Sequence, residues 1–558
     1  MDKFSNERVQ GFLRANGRKV VNESGEEIIL RGWAAANWTN PEGFMIGAGI
    51  DHVPLGDKLI LPGRFERARS MDATIRELCG SKYAEEFWPR WYRNHLAESD
   101  IRAMQELGYN SVRLPVTAWA FLREGPGYEW KEDSFKMLND VLDWCEKYRI
   151  YAILDLHGAP GGQSAIGCDD GIDNVPHMFL EPESRERTMV IWEEFARRYG
   201  NRWIVGGYDL LNEPLSSAQW LHLIPELQDF YKEVIKRIRR IDKKHMLILE
   251  GAIFSTDMRV FEERYDEEYN NWCISVHMYG FTPHVRDLYK FLDVSERLNI
   301  PVWIGEGNAD DKSKAVFFEI AADYGIGYNL FGWKASEMTG GQMGGNLYKL
   351  PKRWNEVAAF IRKGEARPGY LQSAGIFDEM LEAVKFENCI PDQAAFRYSQ
   401  RSQGISLPAV GYDNTGGRGI SFYSKSFYGN PLGYRSEDGM KLVMKPGAYV
   451  TCSIPHMGFE GVQNNPLEEL WLEMKAEEFA CYTIRNITCD CYAACRMIPL
   501  EDSIVRFICE ENVTEKQVEK SEKEILTDIM CLSPGRMKTI KVQVISGRVI
   551  FLELNFPI

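Results

Sequence analysis

Eight short apolar runs recur along the first 335 residues, each followed by a polar or glycine-rich segment. They occupy residues 28–38, 110–119, 151–160, 207–214, 245–254, 271–280, 300–309 and 326–335. Between them, segments such as 134–148, 188–200 and 217–242 place apolar residues every three or four positions, which is the period of a helix. Successive strand–helix repeats of this number predict an α/β fold, a (β/α)8 TIM barrel. A doubly wound sheet is disfavoured because no GxGxxG sequence follows any run.

Polar or aromatic side chains lie at the carboxyl ends of six of the predicted strands. They are Arg113, His157, Asn212 with Glu213, His277 with Tyr279, Glu306 and Trp333. In a parallel barrel the carboxyl ends of all strands meet at one mouth, so residues far apart in sequence come together there. Any one of these residues alone has a structural explanation. Together, at the same end of six strands, they indicate a functional site.

Glu213 and Glu306 close the fourth and seventh predicted strands, so we expect them on opposite sides of the barrel mouth. Two facing carboxyl groups are the apparatus for hydrolysing a glycosidic bond, because one protonates the leaving oxygen while the other attacks the anomeric carbon. The two groups need unequal environments. Arg113 beside Glu306 would keep that carboxylate ionised, and Tyr279 would donate a hydrogen bond to it.

The other strand-end residues suit the binding of a sugar. Asn212, next to Glu213, can reach a sugar hydroxyl, and hydrogen bonds to the 2-OH strengthen in an oxocarbenium-like transition state. His157 and His277 supply further polar contacts, and Trp333 supplies a flat apolar floor for the ring. We predict that the site uses no metal ion and no cofactor.

From about residue 12 to 354 the chain resembles the retaining glycoside hydrolases of family 5, the cellulase family. The Asn-Glu-Pro sequence at 212–214 resembles the acid/base signature of that family, and the Gly-Glu pair at 305–306 resembles its nucleophile signature. The resemblance implies that Glu213 is the acid/base and that Glu306 is the nucleophile. It also implies net retention through a covalent intermediate, with carboxyl groups about 5–5.5 Å apart.

Within the family, the sequences LRGWAAANW, VRLPVTAWAF, DLHGAPGGQ and YDLLNEPL resemble the exo-β-1,3-glucanase and β-glucosidase branch. The pair Gly307 and Asn308 departs from the family, where an aromatic or small residue followed by glycine is commoner after the nucleophile. The resemblance therefore implies a retaining β-glycosidase acting on β-glucosides or β-gluco-oligosaccharides, and it leaves the exact branch open.

Long loops surround the predicted barrel mouth. About 70 residues (39–109) separate the first two strands, and the third and eighth loops (161–179 and 334–345) also exceed the usual ~2–6 residues. Such loops tend to wall a groove into a pocket, which favours exo action, although each is also explained by a structural insertion. The loops and neighbouring strand ends add weaker candidates for sugar contacts, namely Trp38, Trp119, Asp169 and Glu337.

The pattern changes after residue 366, where the predicted catalytic domain (1–366) ends. We predict a linker at 367–380 and an all-β sandwich domain at 381–558, because β-rich segments replace the strand–helix alternation. The closing residues resemble the galactose-binding-like sandwiches of carbohydrate-binding modules. A stabilising or dimerising domain without a sugar site explains the same pattern.

The composition restricts the partners. The chain has 66 Lys and Arg against 81 Asp and Glu, a net charge of −15, which argues against nucleic acid or an anionic membrane as partner. A carbohydrate or glycoside fits an acidic protein. No segment approaches the ~20 apolar residues of a membrane helix, and the N-terminus lacks the apolar core of a secretory signal. We expect a cytoplasmic protein, or a secreted one if a signal sequence has been removed.

Three further interpretations stay open. The first is an endo-β-glucanase or mannanase of the same family. The second is a metal-dependent barrel hydrolase with His157, His277 and the glutamates as ligands, which is disfavoured because no His-x-His pair ends the first strand. The third is a non-catalytic sugar-binding barrel, which would be favoured if Glu213 or Glu306 were replaced.

Overall fold

The structure is a computed structural model that describes most of the chain. The described residues are 3–47, 53–55, 59–61, 64–279, 286–339, 343–363, 365–414, 416–429, 434–435, 437–448 and 466–558. Parts of the first and eighth predicted loops, at 48–52, 56–58, 62–63 and 340–342, lie outside them. The chain forms two compact units. The first contains Met1–Met278, Phe291–Gly307 and Gly325–Asp392; the second contains Tyr279–Lys290, Asn308–Tyr324 and Gln393–Ile558.

Strands and helices alternate through the first 392 residues. The strands are β1 (Arg14–Asn16), β2 (Lys19–Val21), β3 (Arg31–Ala34), β4 (Val53–Leu55), β5 (Leu59–Leu61), β6 (Ser111–Thr117), β7 (Tyr151–Gly158), β8 (Val205–Asp209), β9 (Met246–Glu250), β10 (Trp272–Tyr279), β11 (Val302–Asn308), β12 (Tyr328–Phe331), β13 (Lys334–Ser336), β14 (Asn346–Tyr348) and β15 (Ile390–Pro391). The helices are α1 (Ala68–Cys79), α2 (Ser81–His95), α3 (Glu98–Glu106), α4 (Ala118–Phe121), α5 (Glu132–Tyr148), α6 (His177–Leu180), α7 (Pro182–Tyr199), α8 (Ile224–Arg239), α9 (Ala252–Ser255), α10 (Arg286–Leu298), α11 (Asp311–Asp323), α12 (Trp354–Lys363) and α13 (Tyr370–Ala383).

Eight of these strands close into a parallel barrel in chain order, β3-β6-β7-β8-β9-β10-β11-β12, and β12 pairs back onto β3. Seven barrel strands fall within an apolar run, and β8 overlaps the fourth run but begins two residues before it, which confirms the predicted fold. Strands β6 and β7 are buried along their whole length, as expected for strands covered on both faces. The barrel therefore brings the carboxyl ends of β6 to β11 to one mouth.

Amphipathic helices cover the barrel strands because one face of each helix is apolar. Helix α5 buries Phe135, Leu138, Val141 and Leu142 at the three- to four-residue spacing of a helix face. Arg149 then adopts the left-handed conformation at φ 53°, which ends the helix before β7 begins. In the described part of the first βα insertion, α1 and α2 precede the barrel helix α3, so this insertion is largely helical.

The predicted linker at 367–380 was wrong in its position. Helix α13 spans Tyr370–Ala383, buries Ile376, Phe377, Met380 and Leu381, and packs against α1 and α2. Pro368 and Gly369 precede the helix, Gly375 lies within it, and an apolar helix face begins directly after residue 369. The first compact unit therefore extends to Asp392.

The second unit consists mainly of antiparallel strands. Besides α11, its elements after residue 392 are α14 (Gln393–Gln400), β16 (Ile405–Pro408), β17 (Phe422–Tyr423), β18 (Lys441–Met444), α15 (Pro466–Glu469), β19 (Leu470–Lys475), β20 (Phe479–Ile487), β21 (Cys491–Pro499), β22 (Ser503–Cys509), β23 (Asn512–Val518), β24 (Ile525–Leu532), β25 (Gly535–Ser546) and β26 (Arg548–Phe556). One sheet has the order β18-β19-β26-β21-β24, with β16 also on β26, and the other has the order β17-β20-β25-β22-β23.

The side chains of β22 alternate between buried and partly exposed, which is the pattern of a strand with one face in a core. This all-strand region confirms the predicted β domain; its likeness to carbohydrate-binding modules stays a prediction. No helix in the described part of the chain combines the length and the hydrophobicity needed to cross a lipid bilayer.

Candidate active site

Glu213 and Glu306 face each other at the barrel mouth. Glu306 lies in β11, whereas Glu213 lies four residues beyond the end of β8, in the segment that follows the strand. Both side chains are nearly buried, with 6% of Glu213 and 4% of Glu306 exposed. A carboxylate oxygen of Glu213 and one of Glu306 lie within 4.8 Å of each other. The barrel thus brings together two carboxyl groups that are 93 positions apart in sequence.

Arg113 in β6 is fully buried and contacts four carboxylates. Its Nη1 donates to Glu306 Oε1 at 2.5 Å, and its Nη2 lies 2.9 Å from Asp209 Oδ2, 2.9 Å from Glu250 Oε1 and 3.1 Å from Asp155 Oδ1. Burial alone would lower the pKa of the guanidinium, but these carboxylates raise it well above its usual value. Arg113 is therefore a permanent positive charge at the base of the site.

Two of these carboxylates carry opposite pKa shifts. Burial, and then the nearby charge of Glu250, raise the pKa of Asp209 well above its ordinary value. Burial also opposes ionisation of Glu250, but His277 and Arg113 outweigh it and lower the pKa of Glu250. Glu250 is therefore a carboxylate at neutral pH, whereas Asp209 holds its proton to a higher pH than an ordinary aspartate does.

His277 joins three of the acidic groups. Its Nδ1 lies 2.7 Å from Glu213 Oε1 and 3.6 Å from Glu306 Oε2, and its Nε2 lies 3.1 Å from Glu250 Oε1. Burial disfavours the imidazolium, but the carboxylates of Glu250 and Glu306 raise the pKa of His277 well above its usual value. A protonated His277 donates from both ring nitrogens and so ties Glu213 to Glu250.

His157 and Asn212 form a second pair of polar groups. His157 Nδ1 lies 2.7 Å from Asp155 Oδ2, and its Nε2 lies 3.2 Å from Asn212 Nδ2. Asn212 Oδ1 accepts a hydrogen bond from Arg113 Nη2 at 2.9 Å, so its Nδ2 is the atom that faces the imidazole. Burial disfavours the imidazolium, but the charge and hydrogen bond of Asp155 outweigh it and raise the pKa of His157 to about 10.

Glu42, in the first βα loop, is a further carboxyl group at this site that the sequence analysis missed. It is 7% exposed, and its Oε1 lies 3.6 Å from His157 Nε2. Burial, with smaller contributions from the charges of Glu306 and Glu213, raises its pKa to about 7, and His157 opposes that shift. A carboxyl group with this pKa is half protonated near neutral pH and can both donate and accept a hydrogen bond.

The prediction for Trp333 was wrong in two respects. The last barrel strand, β12, ends at Phe331, two residues earlier. The Trp333 side chain is 1% exposed, donates from Nε1 to Asp100 Oδ1 at 2.8 Å and stacks on Phe386, so it is a core residue. The aromatic ring at this strand end that reaches the site is Phe331, which stacks on His157 with 6.1 Å between ring centroids.

The weaker tryptophan candidates lie outside this cluster. Trp38 is fully buried and donates from Nε1 to the backbone oxygen of Tyr92. Trp119 is half-buried, with the Lys131 ammonium 4.4 Å from its ring centroid. It lines a cavity of about 210 Å³ beside the ends of β6 and β7, whose other lining residues include Arg69 and Asp170 but neither Glu213 nor Glu306.

Three other predicted residues have different surroundings. Asp169 is 1% exposed, and its carboxylate accepts hydrogen bonds from the Ser164 backbone at 2.8 Å and from Arg67 at 3.2 Å. It therefore ties the third βα loop to the first. Glu337 is exposed in a 3-10 helix at Glu337–Thr339. Tyr279 is the last residue of β10 and is partly exposed.

Asp155, Asp209 and Glu250 were also missed as site residues, although each lies in a predicted strand. A signal was present, because each is a carboxylate inside an otherwise apolar buried run, and a buried charge requires a partner. A further contact comes from the third loop, where Cys168 Sγ lies 3.4 Å from Glu213 Oε2.

Among the described residues, Glu213, His277 and Glu306 form a group whose ligand atoms lie close enough to hold a metal ion. The ring nitrogens of His277 already face Glu213 and Glu250 at hydrogen-bond distance. A metal ligand would have to give up one of these contacts and lose its ring proton. The donor set therefore fits proton transfer better than metal binding.

A closed parallel barrel with two glutamates facing each other at its carboxyl end suits the two-carboxylate chemistry of glycoside hydrolysis. Residues 71–337 match the sequence model of Cellulase (glycosyl hydrolase family 5). The match covers just under half of the chain and includes the Asn-Glu-Pro and Gly-Glu sequences that suggested the resemblance.

Curated relatives share the same region. The chain is 30% identical over 269 residues to a β-xylosidase of Phanerodontia chrysosporium, covering 48% of this chain and 52% of the relative. It is 31% identical over 180 residues to a glucan 1,3-β-glucosidase of Candida oleophila (31% and 40%), and 30% identical over 163 residues to endoglucanase C of Acetivibrio thermocellus (29% and 44%). The matches span about half, or less, of the length of these relatives.

Proposed function

We propose that the chain is a retaining β-glycosidase that hydrolyses β-glucosides or β-gluco-oligosaccharides. The observation that carries this proposal is the pair of carboxylate oxygens of Glu213 and Glu306, which lie within 4.8 Å of each other. Retaining glycosidases hold their two carboxyl groups about 5–5.5 Å apart, whereas inverting enzymes need ~6.5–9.5 Å to admit a water molecule. The separation leaves room for direct attack on the anomeric carbon.

In the first step Glu306 attacks the anomeric carbon and Glu213 gives its proton to the leaving oxygen, so the glycosidic bond breaks and an ester to Glu306 forms. Arg113 and His277 supply positive charge beside Glu306, which favours its carboxylate form. In the second step Glu213 takes a proton from water, the resulting hydroxide equivalent attacks the anomeric carbon, and Glu306 is released. Two inversions give net retention.

Three groups around the pair suit the recognition of sugar hydroxyls. Asn212 is held by Arg113 and His157, so its position is fixed before substrate binds. Glu42 and His157 offer acceptors and donors on the side of the site formed by the first loop. Phe331, stacked on His157, supplies an apolar surface near these polar groups. We assign these residues to the sugar next to the scissile bond.

Exo action is the finer proposal. Glu42 reaches the site from the first βα loop, and the third loop is tied to the first through the buried ion pair of Asp169 and Arg67. Two loops joined in this way would close one end of a groove and favour release of a terminal sugar. The match to an endoglucanase keeps the endo alternative open. Laminari- and cello-oligosaccharides labelled at the reducing end distinguish the two modes. Exo action releases single terminal sugars, whereas endo action releases shorter oligosaccharides.

The test compares E306Q and E213Q with E129Q, a matched control at an exposed glutamate. Release of aglycone from aryl β-glucosides, β-xylosides, β-mannosides and β-galactosides is measured for each variant, together with hydrolysis of the oligosaccharides. We expect E306Q to be inactive, E213Q to lose ~10²–10⁴-fold on unactivated substrates, and E129Q to match the unmodified chain. Full activity in E306Q, or activity lost on chelation with EDTA, would contradict the proposal.

A further inference from the structure

Glu213 has an unusual backbone conformation for its residue type. Its φ is 45°, in the left-handed region that favours glycine. A non-glycine residue persists there only when its surroundings hold it, and such residues are frequent at functional sites. The segment after β8 therefore aims the Glu213 side chain by means of a backbone conformation that other groups must maintain.

Glu250, the last residue of β9, provides one of these restraints. Its Oε2 accepts a hydrogen bond from the backbone N–H of Glu213 at 2.7 Å. Ser216 provides another, because its hydroxyl donates to the Glu213 backbone oxygen at 2.9 Å. Glu250 is fully buried, so its carboxylate acts on the protein and does not face the substrate.

Glu250 also reaches the Glu213 side chain through His277. Its Oε1 lies 3.1 Å from His277 Nε2, and His277 Nδ1 lies 2.7 Å from Glu213 Oε1. One carboxylate therefore fixes the backbone of Glu213 directly and the Glu213 carboxyl group through an imidazole. The two contacts restrain both ends of the same side chain.

We propose that Glu250 is a positioning residue that orients Glu213 for proton transfer to the leaving group. This inference rests on the proposed function. It follows from the closed set of contacts among Glu250, Glu213 and His277, and it assigns to Glu250 no contact with the sugar. Positioning of a general acid matters most when the leaving group needs its proton, so the effect of Glu250 must depend on the leaving group.

A carboxylate is required at this position because three nitrogen donors converge on it, with the Ser275 hydroxyl as a fourth donor at 3.5 Å. The Glu213 N–H points at Oε2, while Arg113 Nη2 at 2.9 Å and His277 Nε2 at 3.1 Å point at Oε1. A glutamine has one carbonyl oxygen and an NH2 group, so at least one of these contacts is lost or becomes a clash of two donors. Substitution by glutamine keeps the size of the side chain and removes the restraint.

The experiment measures kcat and KM of E250Q with 2,4-dinitrophenyl β-glucoside, which needs little acid assistance, and with an alkyl β-glucoside, which needs it. We expect kcat/KM to fall about 100-fold or more on the alkyl glucoside and less than tenfold on the dinitrophenyl glucoside, with KM little changed. Equal falls on both substrates, or a fall of less than threefold on the alkyl glucoside, would overturn the inference.

D242N is the matched control, since Asp242 is another buried acid with a histidine partner, His245, but lies before β9 and away from the mouth. It tests whether loss of a buried carboxylate alone produces the leaving-group dependence, and we expect none. If E250Q does not fold, the same measurements on E250D test the inference. It keeps the charge but is one methylene shorter and cannot span the donors, so the same dependence is expected and its absence overturns the inference.

The two proposals fail in different ways. If the unmodified chain releases no aglycone from any β-glycoside, the proposed function is wrong. If the unmodified chain and D242N turn over both substrates and E250Q retains its activity on both, the function stands and the role assigned to Glu250 is wrong.

Discussion

Replacing Glu42 with glutamine should make the protein more stable at alkaline pH and less active. The pKa of Glu42 is raised from 4.5 to about 7, first by burial and then by the charges of Glu306 and Glu213. The folded state therefore retains a proton between pH 4.5 and 7 that the unfolded chain has lost. Stability must fall as the pH rises through that window.

The magnitude follows from the shift of about 2.5 pH units, at ~1.4 kcal/mol per unit, which gives about 3 kcal/mol at pH 8. Below pH 4.5 the carboxyl group is protonated in both states and the cost vanishes. Because glutamine carries no charge at any pH, we expect E42Q to unfold at a temperature several degrees higher at pH 8 and at an unchanged temperature at pH 4.5.

Thermal unfolding of E42Q and of the exposed control E129Q, each at pH 4.5 and pH 8, tests this reasoning. We also expect kcat/KM of E42Q on β-glucosides to fall ~10-fold or more, since the carboxylate charge beside His157 is lost. No gain in stability at pH 8, or an equal gain at both pH values, would show that ionised Glu42 carries no burial cost.

Three further predictions concern residues with distinct roles. Burial opposes ionisation of Asp242, but hydrogen bonds such as that from His245 lower its pKa from 3.8 to about 2, so stability should be lost as the pH falls from 4 to 2. D242N should therefore lose about 2 kcal/mol of stability at pH 7, and its melting temperature should depend less on pH between 4 and 2. W333F should reduce the free energy of unfolding by ~1–3 kcal/mol, and so lower the melting temperature, because Asp100 loses a hydrogen-bond donor. Its kcat/KM should stay within threefold of that of the unmodified chain. R113K keeps the charge but loses the planar fork, so kcat should fall 100-fold or more in steady-state assays.

The barrel was predictable because its signal is local. Each strand is an apolar run with its own boundaries, and in a parallel barrel the carboxyl ends of all strands lie at the same end of the barrel. Arg113, His277 and Glu306 were located by this rule alone, and the structure brings them within hydrogen-bond reach or a few ångströms of one another. Their chemical roles remain proposals.

The remaining features depend on contacts that the local pattern does not encode. Glu42 meets His157 across 115 positions of sequence, through the folding of a long loop. Trp333 follows an apolar strand in sequence but points into the core, because β12 stops at Phe331. Glu250 was visible as a charge within an apolar run, yet its partners come from three other strands or segments.

The most direct test of the account is the mass of the peptide that contains Glu306 after inactivation with 2,4-dinitrophenyl 2-deoxy-2-fluoro-β-glucoside. The fluorine slows hydrolysis of the covalent intermediate, and the good leaving group lets it form. We predict one 2-fluoroglucosyl group attached to Glu306 and loss of activity in step with labelling. Label on another residue, or continued turnover with inversion at the anomeric carbon, would contradict the assignment of Glu306 and Glu213 as a retaining pair.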